Sequence, residues 1–389
     1  MRHYFLTGAS GAVGSAIVPL LLSDPDTRVR ILLRADSDEH LAARLDELCR
    51  FWELAPGSER RSRIQPLRGD ASLPRFGLAD ADHAAIAADT THIIHCAASV
   101  RMNDPLDKAR RSAVGSAEAI LALARELARR GSLQKLDFVS TVGIAGKRPG
   151  ILPETWIDEP RAFHNTYEQT KAEAETLVRE AIERERLPIT VHRPSMVIGD
   201  SRDGRIIHFQ IFYYICEILS GRRTLGLYPC FGDTRLDIIP VDWVAEAIAT
   251  ASRNPDTAGR IFHLCSGPER SPVLHELKTY VRDAFRSRGR RIPASITVPR
   301  TWFAALPRIA APFVPERQRR KLSVLPIYMD YLADRQGFDN AAYLGWLEAR
   351  GRHLPGAEAI LPPALGYYLQ QQAGSQPGTD TRSDSAPGR

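Results

Sequence analysis

A tyrosine and a lysine stand four residues apart, Tyr167 and Lys171, in the segment HNTYEQTKAEAE (residues 164–175). On a helix this spacing places both side chains on one face. A phenol has an ordinary pKa of about 10 and is a poor proton donor or acceptor near pH 7, unless neighbouring positive charge favours the phenolate. The chain has only 6 lysines, so the pair is informative, and it predicts acid–base chemistry by Tyr167 tuned by Lys171. An ordinary surface pair on a helix is the alternative.

Two hydroxyls follow a predicted strand in the segment LDFVSTVGIAG, at Ser140 and Thr141. A hydroxyl at this place can donate a hydrogen bond to a substrate carbonyl oxygen that gains negative charge. Either one can instead cap the local backbone. We favour Thr141 over Ser140 as the catalytic hydroxyl.

A glycine-rich turn lies near the start of the chain, in YFLTGASGAVGSAIVPLLL (residues 4–22). Gly8, Gly11 and Gly14 separate a strand pattern from a helix pattern. Such a turn lets the backbone approach a pyrophosphate at the helix N-terminus and lets the helix pack closely on its strand. The segment predicts dinucleotide binding, and a glycine-rich helix cap without a ligand is the alternative.

The end of the second predicted strand indicates which dinucleotide binds. Arg34 stands twenty residues beyond Gly14, where an acid would bind a ribose 2′-hydroxyl and an arginine accommodates a 2′-phosphate. Arg44 is a candidate second phosphate contact. These residues favour NADP over NAD, although Asp36 lies close enough to Arg34 to compete for this role.

Short apolar runs alternate with helix patterns as far as residue 200. This order predicts an α/β fold, a Rossmann-type doubly wound parallel sheet with a smaller, mostly helical C-terminal lobe. The predicted strands are His3–Thr7, Val29–Leu33, Ile64–Arg68, His92–Cys96, Leu136–Ser140 and Ile189–Arg193. The predicted helices include Ala12–Leu22, Glu39–Glu53, Ala109–Arg129 and Tyr167–Glu185.

The change of pattern after residue 200 predicts two lobes. Residues 1–200 form the dinucleotide-binding domain, completed by about 236–267, where Leu236–Pro240 and Ile261–Leu264 are expected as late strands of the same sheet. Residues 201–235 and 268–370 form the substrate lobe. Residues 371–389 are polar and small, and predict a disordered tail.

Composition excludes several classes of protein. The net charge of +6 is too small and too dispersed for a nucleic-acid binder, and 46 of the 52 basic residues are arginine, so arginine clusters alone carry little weight. The five cysteines are odd in number and contain no C-x-x-C pair, which argues against a disulfide framework or a metal site and favours a cytoplasmic protein. The chain contains no run of 18 apolar residues, so no transmembrane helix is predicted.

Taken in order, the glycine turn, Thr141, Tyr167 and Lys171 make residues 1–270 resemble the extended short-chain dehydrogenase/reductase family. More narrowly, the chain resembles its branch of carrier-protein thioester reductases and male-sterility type fatty acyl-CoA reductases. Further segments that support the resemblance are RGDASLPRFGL (68–78), IIHCAASV (93–100), HRPSMVIGDSRDG (192–204) and DIIPVDWVAEAI (237–248).

The resemblance implies a set of cofactor neighbours, with Asp70 at the adenine and Pro194, Ser195 and Val197 near the nicotinamide. The implied set is Thr7, Gly8, Ser10, Gly11, Ala12, Val13, Gly14, Arg34, Arg44, Asp70, Ala97, Ala98, Tyr167, Lys171, Pro194, Ser195 and Val197. The chain departs from the family pattern at Ser112, where the family commonly has an asparagine that holds a proton-relay water or the active-site backbone.

The expected activity is NADPH-dependent reduction of an acyl thioester, on coenzyme A or an acyl carrier protein, either to an aldehyde or onward to an alcohol. The alternatives are a reductase or dehydrogenase of a free hydrophobic ketone, aldehyde or alcohol, and a non-catalytic dinucleotide-binding regulator. The apolar segment 206–219 is either an acyl-chain wall or lobe packing. The apolar and then basic segment 301–322 is a candidate surface for an acidic carrier or a membrane, or simply a solvated face.

Overall fold

A computed structural model describes residues 1–102, 104–299, 303 and 336–374. Within them, seven parallel strands form one sheet in the spatial order β3-β2-β1-β4-β5-β7-β11. The strands are β1 Arg2–Thr7, β2 Thr27–Leu33, β3 Ile64–Arg68, β4 His92–His95, β5 Lys135–Val139, β6 Gly150–Leu152, β7 Ile189–Pro194, β8 Met196–Ile198, β9 Leu227–Pro229, β10 Ile238–Pro240, β11 Ile261–Leu264, β12 Ile296–Val298 and β13 Gln336–Phe338. The order reverses at β1, so the sheet is doubly wound and the Rossmann-type fold is confirmed.

Helices cover both faces of the sheet. They are α1 Ala12–Leu21, α2 Asp38–Phe51, α3 Glu59–Ser62, α4 Asp80–Asp89, α5 Leu106–Arg129, α6 Thr166–Glu183, α7 Ile211–Leu219, α8 Val241–Ala251, α9 Leu274–Ser287, α10 Ala341–Glu348 and α11 Ala357–Gly374. One buried cluster holds α1 and α8 on one face, and a second holds α5 and α6 on the other. The central strands β4, β5 and β7 are buried along their whole length, as their apolar runs predict.

One expected strand lies elsewhere. Ile261–Leu264 joins the large sheet beside β7, but the Leu236–Pro240 prediction is wrong in its placement. Its residues Ile238–Pro240 pair only with β8, in a separate two-stranded sheet. The reason is that the chain leaves the large sheet directly after Pro194. Strand β8 then forms a separate pair with Ile238–Pro240.

A third apolar cluster builds the smaller lobe from α7, α9 and α11. In the segment 206–219, Phe212, Ile215 and Cys216 are fully buried in this core. Phe209 is 38% exposed and packs on Tyr368 with ring centroids 4.9 Å apart. Most of this segment therefore packs the lobe, and Phe209 is its exposed aromatic residue.

Part of the predicted lobe segment 268–370 packs against the dinucleotide-binding domain instead. Strand β13 pairs in parallel with β6, and α10 packs against β11, where Tyr343 is fully buried. Residues 371–374, expected in a disordered tail, form the last turn of α11. The rest of that tail, and the segment 301–322 apart from Phe303, lie outside the described residues.

Two negative findings apply to the described part of the chain. None of its helices has the length and apolar character needed to cross a membrane. Each of the five cysteines is a reduced thiol, and no cluster of candidate metal ligands is found among the described residues.

Candidate active site

The glycine-rich turn connects β1 to α1 by a tight backbone fold. Gly8 has a φ of +82°, a conformation that strongly favours glycine, and its carbonyl accepts a hydrogen bond from Gly11 N at 2.9 Å. A Cβ on Gly14 would lie 2.2 Å from that carbonyl oxygen, and one on Gly8 would lie 2.7 Å from the backbone of Cys96. The three strand and helix backbones thus approach as closely as they do only because these positions lack a side chain. This is the cradle that a pyrophosphate requires at a helix N-terminus.

Around the turn, the predicted cofactor residues divide into two groups. Ala12 and Val13 form the first turn of α1, while Ala97 and Ala98 follow β4 at the same edge of the sheet. Thr7 differs, because it is fully buried and its hydroxyl hydrogen-bonds His95 Nδ1 at 2.9 Å. Its side chain is therefore committed to β4, and only its backbone faces the turn.

Two arginines meet at the end of β2. Arg44 reaches from α2, donating one hydrogen bond to the carbonyl of Arg34 at 2.5 Å and another to Ser10 Oγ at 3.3 Å. The Arg34 side chain is 78% exposed and lies 3.9 Å from Asp70 Oδ2. Asp36 has a fully exposed side chain beside His40. The strand end thus offers positive charge next to the glycine-rich turn, while the competing carboxylate of Asp36 extends into solvent.

Thr141, Tyr167 and Lys171 come together where β5 ends and α6 begins. Thr141 follows β5, and the other two residues lie in the first two turns of α6. The Thr141 hydroxyl lies close enough to that of Tyr167 to favour its ionised form, and Thr141 Oγ1 accepts a hydrogen bond from Gly143 N at 3.1 Å. Lys171 is buried and donates a hydrogen bond from Nζ to the carbonyl of Val139 at 2.8 Å. The helix spacing predicted from the sequence therefore places three functional groups against one strand end.

Burial dominates the protonation of this group. It raises the pKa of Tyr167 to about 12, against a smaller opposite effect of the hydrogen bond with Thr141. It lowers the pKa of Lys171 to about 8, partly offset by the carboxylate of Glu175. Without a bound cofactor, Tyr167 is therefore a neutral phenol, the form that donates a proton. Lys171 is not among the groups that shift the pKa of Tyr167 in this state.

Ser140 has a different partner from Thr141. Its hydroxyl donates to Glu175 Oε2 at 2.5 Å in the interior, so it is already engaged. Ser112, the departure from the family pattern, accepts a hydrogen bond from Ser99 N at 2.8 Å. It therefore holds the backbone of the loop that follows β4.

The remaining predicted residues follow β7 and β3. Pro194 ends β7, Ser195 N donates to the carbonyl of Leu264 at 3.0 Å, and Val197 lies on β8. Asp70 Oδ1 accepts hydrogen bonds from the backbone and hydroxyl of Ser72 at 2.9 and 2.8 Å, which shapes the turn after β3.

The sequence reasoning missed two buried charged residues at the site, Glu175 and Arg193. A signal was present for Glu175, because it stands four residues after Lys171 and so shares its helix face. Arg193 was read only as the end of an apolar strand, and nothing in the sequence identified its partner.

A family model described as the male sterility protein, an NAD-binding family, matches residues 6–248. The chain belongs to this family. Its place within the extended short-chain dehydrogenase/reductases, expected from the motifs, is thereby confirmed.

Individual relatives match this family member over part of their own length. It is 30% identical over 286 residues to the L-2-aminoadipate reductase large subunit of Penicillium chrysogenum, covering 68% of this chain and 19% of that protein. It is 29% identical over 276 residues to the nonribosomal peptide synthetase asaC of Aspergillus flavus, covering 67% of this chain and 26% of the synthetase. The chain thus spans about a quarter or less of their lengths.

A solved structure matches nearly the whole chain. The terminal R domain from the myxalamid PKS-NRPS biosynthetic pathway is 26% identical, with a TM-score of 0.77, and the match covers 96% of this chain and 91% of that domain. The likeness extends over both lobes.

Proposed function

We propose that this chain is an NADPH-dependent reductase that converts an acyl thioester, borne on a carrier protein, to an aldehyde. The observation that carries the proposal is the assembly of Thr141, Tyr167 and Lys171 beside the glycine-rich turn. The relatives named as an aminoadipate reductase and a peptide synthetase support a carrier-bound thioester as substrate.

The residues present fit a nicotinamide dinucleotide phosphate. Gly8 and Gly14 leave the space for a pyrophosphate at the N-terminus of α1, and Arg34 and Arg44 carry positive charge that would attract a 2′-phosphate. When bound, NADPH supplies the hydride for the carbonyl carbon of the thioester. Lys171 is in place to bind the ribose hydroxyls.

The hydroxyls of Thr141 and Tyr167 would hold the carbonyl oxygen as its carbon becomes tetrahedral and the oxygen gains negative charge. Both are donors in the neutral state, and the Thr141 hydroxyl lies next to that of Tyr167. Collapse then breaks the carbon–sulfur bond, leaves the aldehyde, and releases a thiol that takes up a proton. Tyr167 is the proton donor to the oxygen or to the leaving sulfur.

Substrate comparison tests the proposal. NADPH oxidation at 340 nm is followed with three substrates of matched chain length: an acyl thioester on a carrier protein, the acyl-coenzyme A, and a free methyl ketone. We expect turnover with the carrier thioester, and aldehyde or alcohol among the products. NADPH oxidation with the ketone but with neither thioester would overturn the thioester assignment. Tight NADPH binding without turnover of any substrate would indicate a non-catalytic regulator.

Replacement of Tyr167 tests the catalytic group itself. Tyr167→Phe should lower kcat by about 10²- to 10⁴-fold, the usual contribution of a general acid, while NADPH affinity changes little. Tyr280→Phe, a partly exposed tyrosine of α9, is the matched control. We also expect kcat/KM to fall above about pH 8, because Lys171 loses its proton there while Tyr167 stays neutral. Retained activity in Tyr167→Phe would refute the assigned role.

A further inference from the structure

A buried ion pair lies beneath the three segments that carry the candidate catalytic residues. Arg193 is fully buried and Glu175 is 4% exposed. The Arg193 Nε lies 3.1 and 3.2 Å from the two carboxylate oxygens of Glu175, and a second guanidinium nitrogen also contacts Oε1. The pair therefore fixes β7 to α6 in the interior.

Each partner reaches a different active-site segment. Glu175 Oε2 accepts the hydroxyl of Ser140, the residue before Thr141. Glu175 also follows Lys171 by one helical turn. Arg193 immediately precedes Pro194 at the end of β7. One carboxylate thus connects the end of β5, the end of β7 and the catalytic face of α6.

The remaining donors of Arg193 are satisfied as well. Its Nη1 donates to the carbonyl of Thr155 at 2.8 Å and lies 3.1 Å from His263 Nε2. Since a guanidinium only donates, His263 must accept there as a neutral ring, and burial together with Arg193 lowers the pKa of His263 to about 3. The cluster is thus a network rather than an isolated pair.

A buried ion pair gives little net stability, because desolvation of both charges offsets their attraction. Its position is therefore better explained by the geometry that it imposes. Its charge also acts on the site, since the Glu175 carboxylate opposes the fall in the pKa of Lys171. Two further titratable groups face Lys171, namely His95 at the end of β4 and Cys96 directly after it. Two others face the ion pair, namely Arg161 from the loop before α6 and His263 from β11.

We propose that Glu175 is a positioning residue of the reductase, which holds Ser140, and through it the Thr141 hydroxyl, in register with Lys171 and the Arg193–Pro194 strand end. The proposal rests on the catalytic roles given to Thr141 and Lys171 under the proposed function.

Glu175→Gln tests it directly, because glutamine keeps an oxygen acceptor for Ser140 but removes the charge. With NADPH and an acyl-pantetheine thioester as substrate, we expect kcat to fall by roughly 10- to 100-fold, as misplacement of a catalytic group does, with KM within about twofold. We also expect the alkaline limb of kcat/KM to move to lower pH, because Lys171 loses the carboxylate that favours its ammonium. Unchanged kcat and an unchanged alkaline limb would overturn the proposal.

Two further variants separate geometry from charge and remain informative if Glu175→Gln does not fold. Ser140→Ala removes one hydrogen bond and keeps the carboxylate, so kcat should fall while the alkaline limb stays in place. Glu175→Asp keeps the charge but shortens the arm, so the limb should stay near its original pH while kcat falls. If both variants keep the wild-type kcat, Glu175 contributes only to packing and the positioning role is refuted.

Asp137→Asn is the matched control. Asp137 is a fully buried carboxylate on β5, paired with Lys135 at 3.2 Å and His192 at 2.8 Å. It lies four residues before Thr141, about 13 Å along the strand. This variant should lower Tm without moving the alkaline limb, and a shifted limb would show that the pH readout is not specific to Glu175.

Lys171→Met distinguishes the two proposals. If it retains wild-type turnover, the catalytic assignment itself fails. If it abolishes turnover while Glu175→Gln remains fully active with an unchanged limb, only the positioning role is refuted.

Discussion

Arg44 crosses from α2 to the glycine-rich turn and brings its guanidinium to Ser10, while the exposed guanidinium of Arg34 extends from the end of β2. The preference for NADPH over NADH therefore depends on the charge of a few side chains at this strand end. A 2′-phosphate adds negative charge that arginine attracts and a carboxylate repels. The exposure of Asp36 leaves arginine as the dominant charge at this edge.

Arg34→Asp should therefore weaken NADPH binding by tenfold or more, about 1.4 kcal/mol, while NADH binding changes less or improves. Titration of both dinucleotides by fluorescence measures the effect. Arg28→Asp serves as the control, because Arg28 is exposed on the same strand but six residues away, about 20 Å along β2. Equal weakening of NADPH and NADH by Arg34→Asp would contradict the assignment.

The junction of β1 and α1 shows how an element depends on the absence of a side chain. Helix α1 starts directly after Gly11, whose backbone has no side-chain cap, so its first N–H groups point to the turn. Gly14 then packs against the carbonyl of Gly8 too closely for any Cβ. The close packing of helix on strand fixes where those N–H groups point.

Gly14→Ala should displace α1 from β1, lowering both Tm and NADPH affinity, because its Cβ would meet a backbone oxygen that cannot move aside. Gly345→Ala is the matched control, since Gly345 lies within helix α10 and a Cβ there meets no atom within 4 Å. That control should raise stability by about 0.5–1 kcal/mol through helix propensity and leave NADPH binding unchanged. Thermal melts with and without NADPH measure both effects, and a Gly14→Ala protein with normal affinity would contradict the cradle.

Over the whole molecule, the C-terminal part of the chain packs beside the large sheet and adds a separate two-stranded sheet to it. Strand β13 pairs with β6, and the N-terminus of α10 is held by Glu154, whose carboxylate accepts hydrogen bonds from Ala342 N at 2.6 Å and His263 N at 2.7 Å. Burial raises the pKa of Glu154 to about 7. The carboxylate of Glu154 thereby joins residues more than 180 positions apart in the chain. One of its partners, His263, also contacts Arg193 of the buried network.

Tyr343 provides a test of this connection. It is fully buried on the sheet side of α10, and its hydroxyl has no hydrogen-bond partner among the described residues. Tyr343→Ala should cost about 3–5 kcal/mol of unfolding free energy, the usual loss for a large buried aromatic residue. Tyr343→Phe should change it by less than about 0.5 kcal/mol, since no protein hydrogen bond is lost. Urea unfolding compares the two, and similar stabilities would show that α10 adds little to the core.

The sequence by itself determined the parts of the molecule that depend on local pattern. Apolar runs separated by helical periodicity gave the parallel sheet, and the spacing of Gly8 to Gly14 and of Tyr167 to Lys171 identified the turn and the helix face. These features follow from neighbouring residues, because backbone conformation and helix periodicity are local properties.

Only the tertiary structure decided the features that join distant residues. It separated Ser140 from Thr141 by giving Ser140 to Glu175, it paired Arg193 with that same carboxylate, and it moved Ile238–Pro240 out of the large sheet to β8. Buried charges and short strands have no periodic signal of their own. Their partners are fixed by the three-dimensional packing of segments far apart in the chain, which is why the sequence left them open.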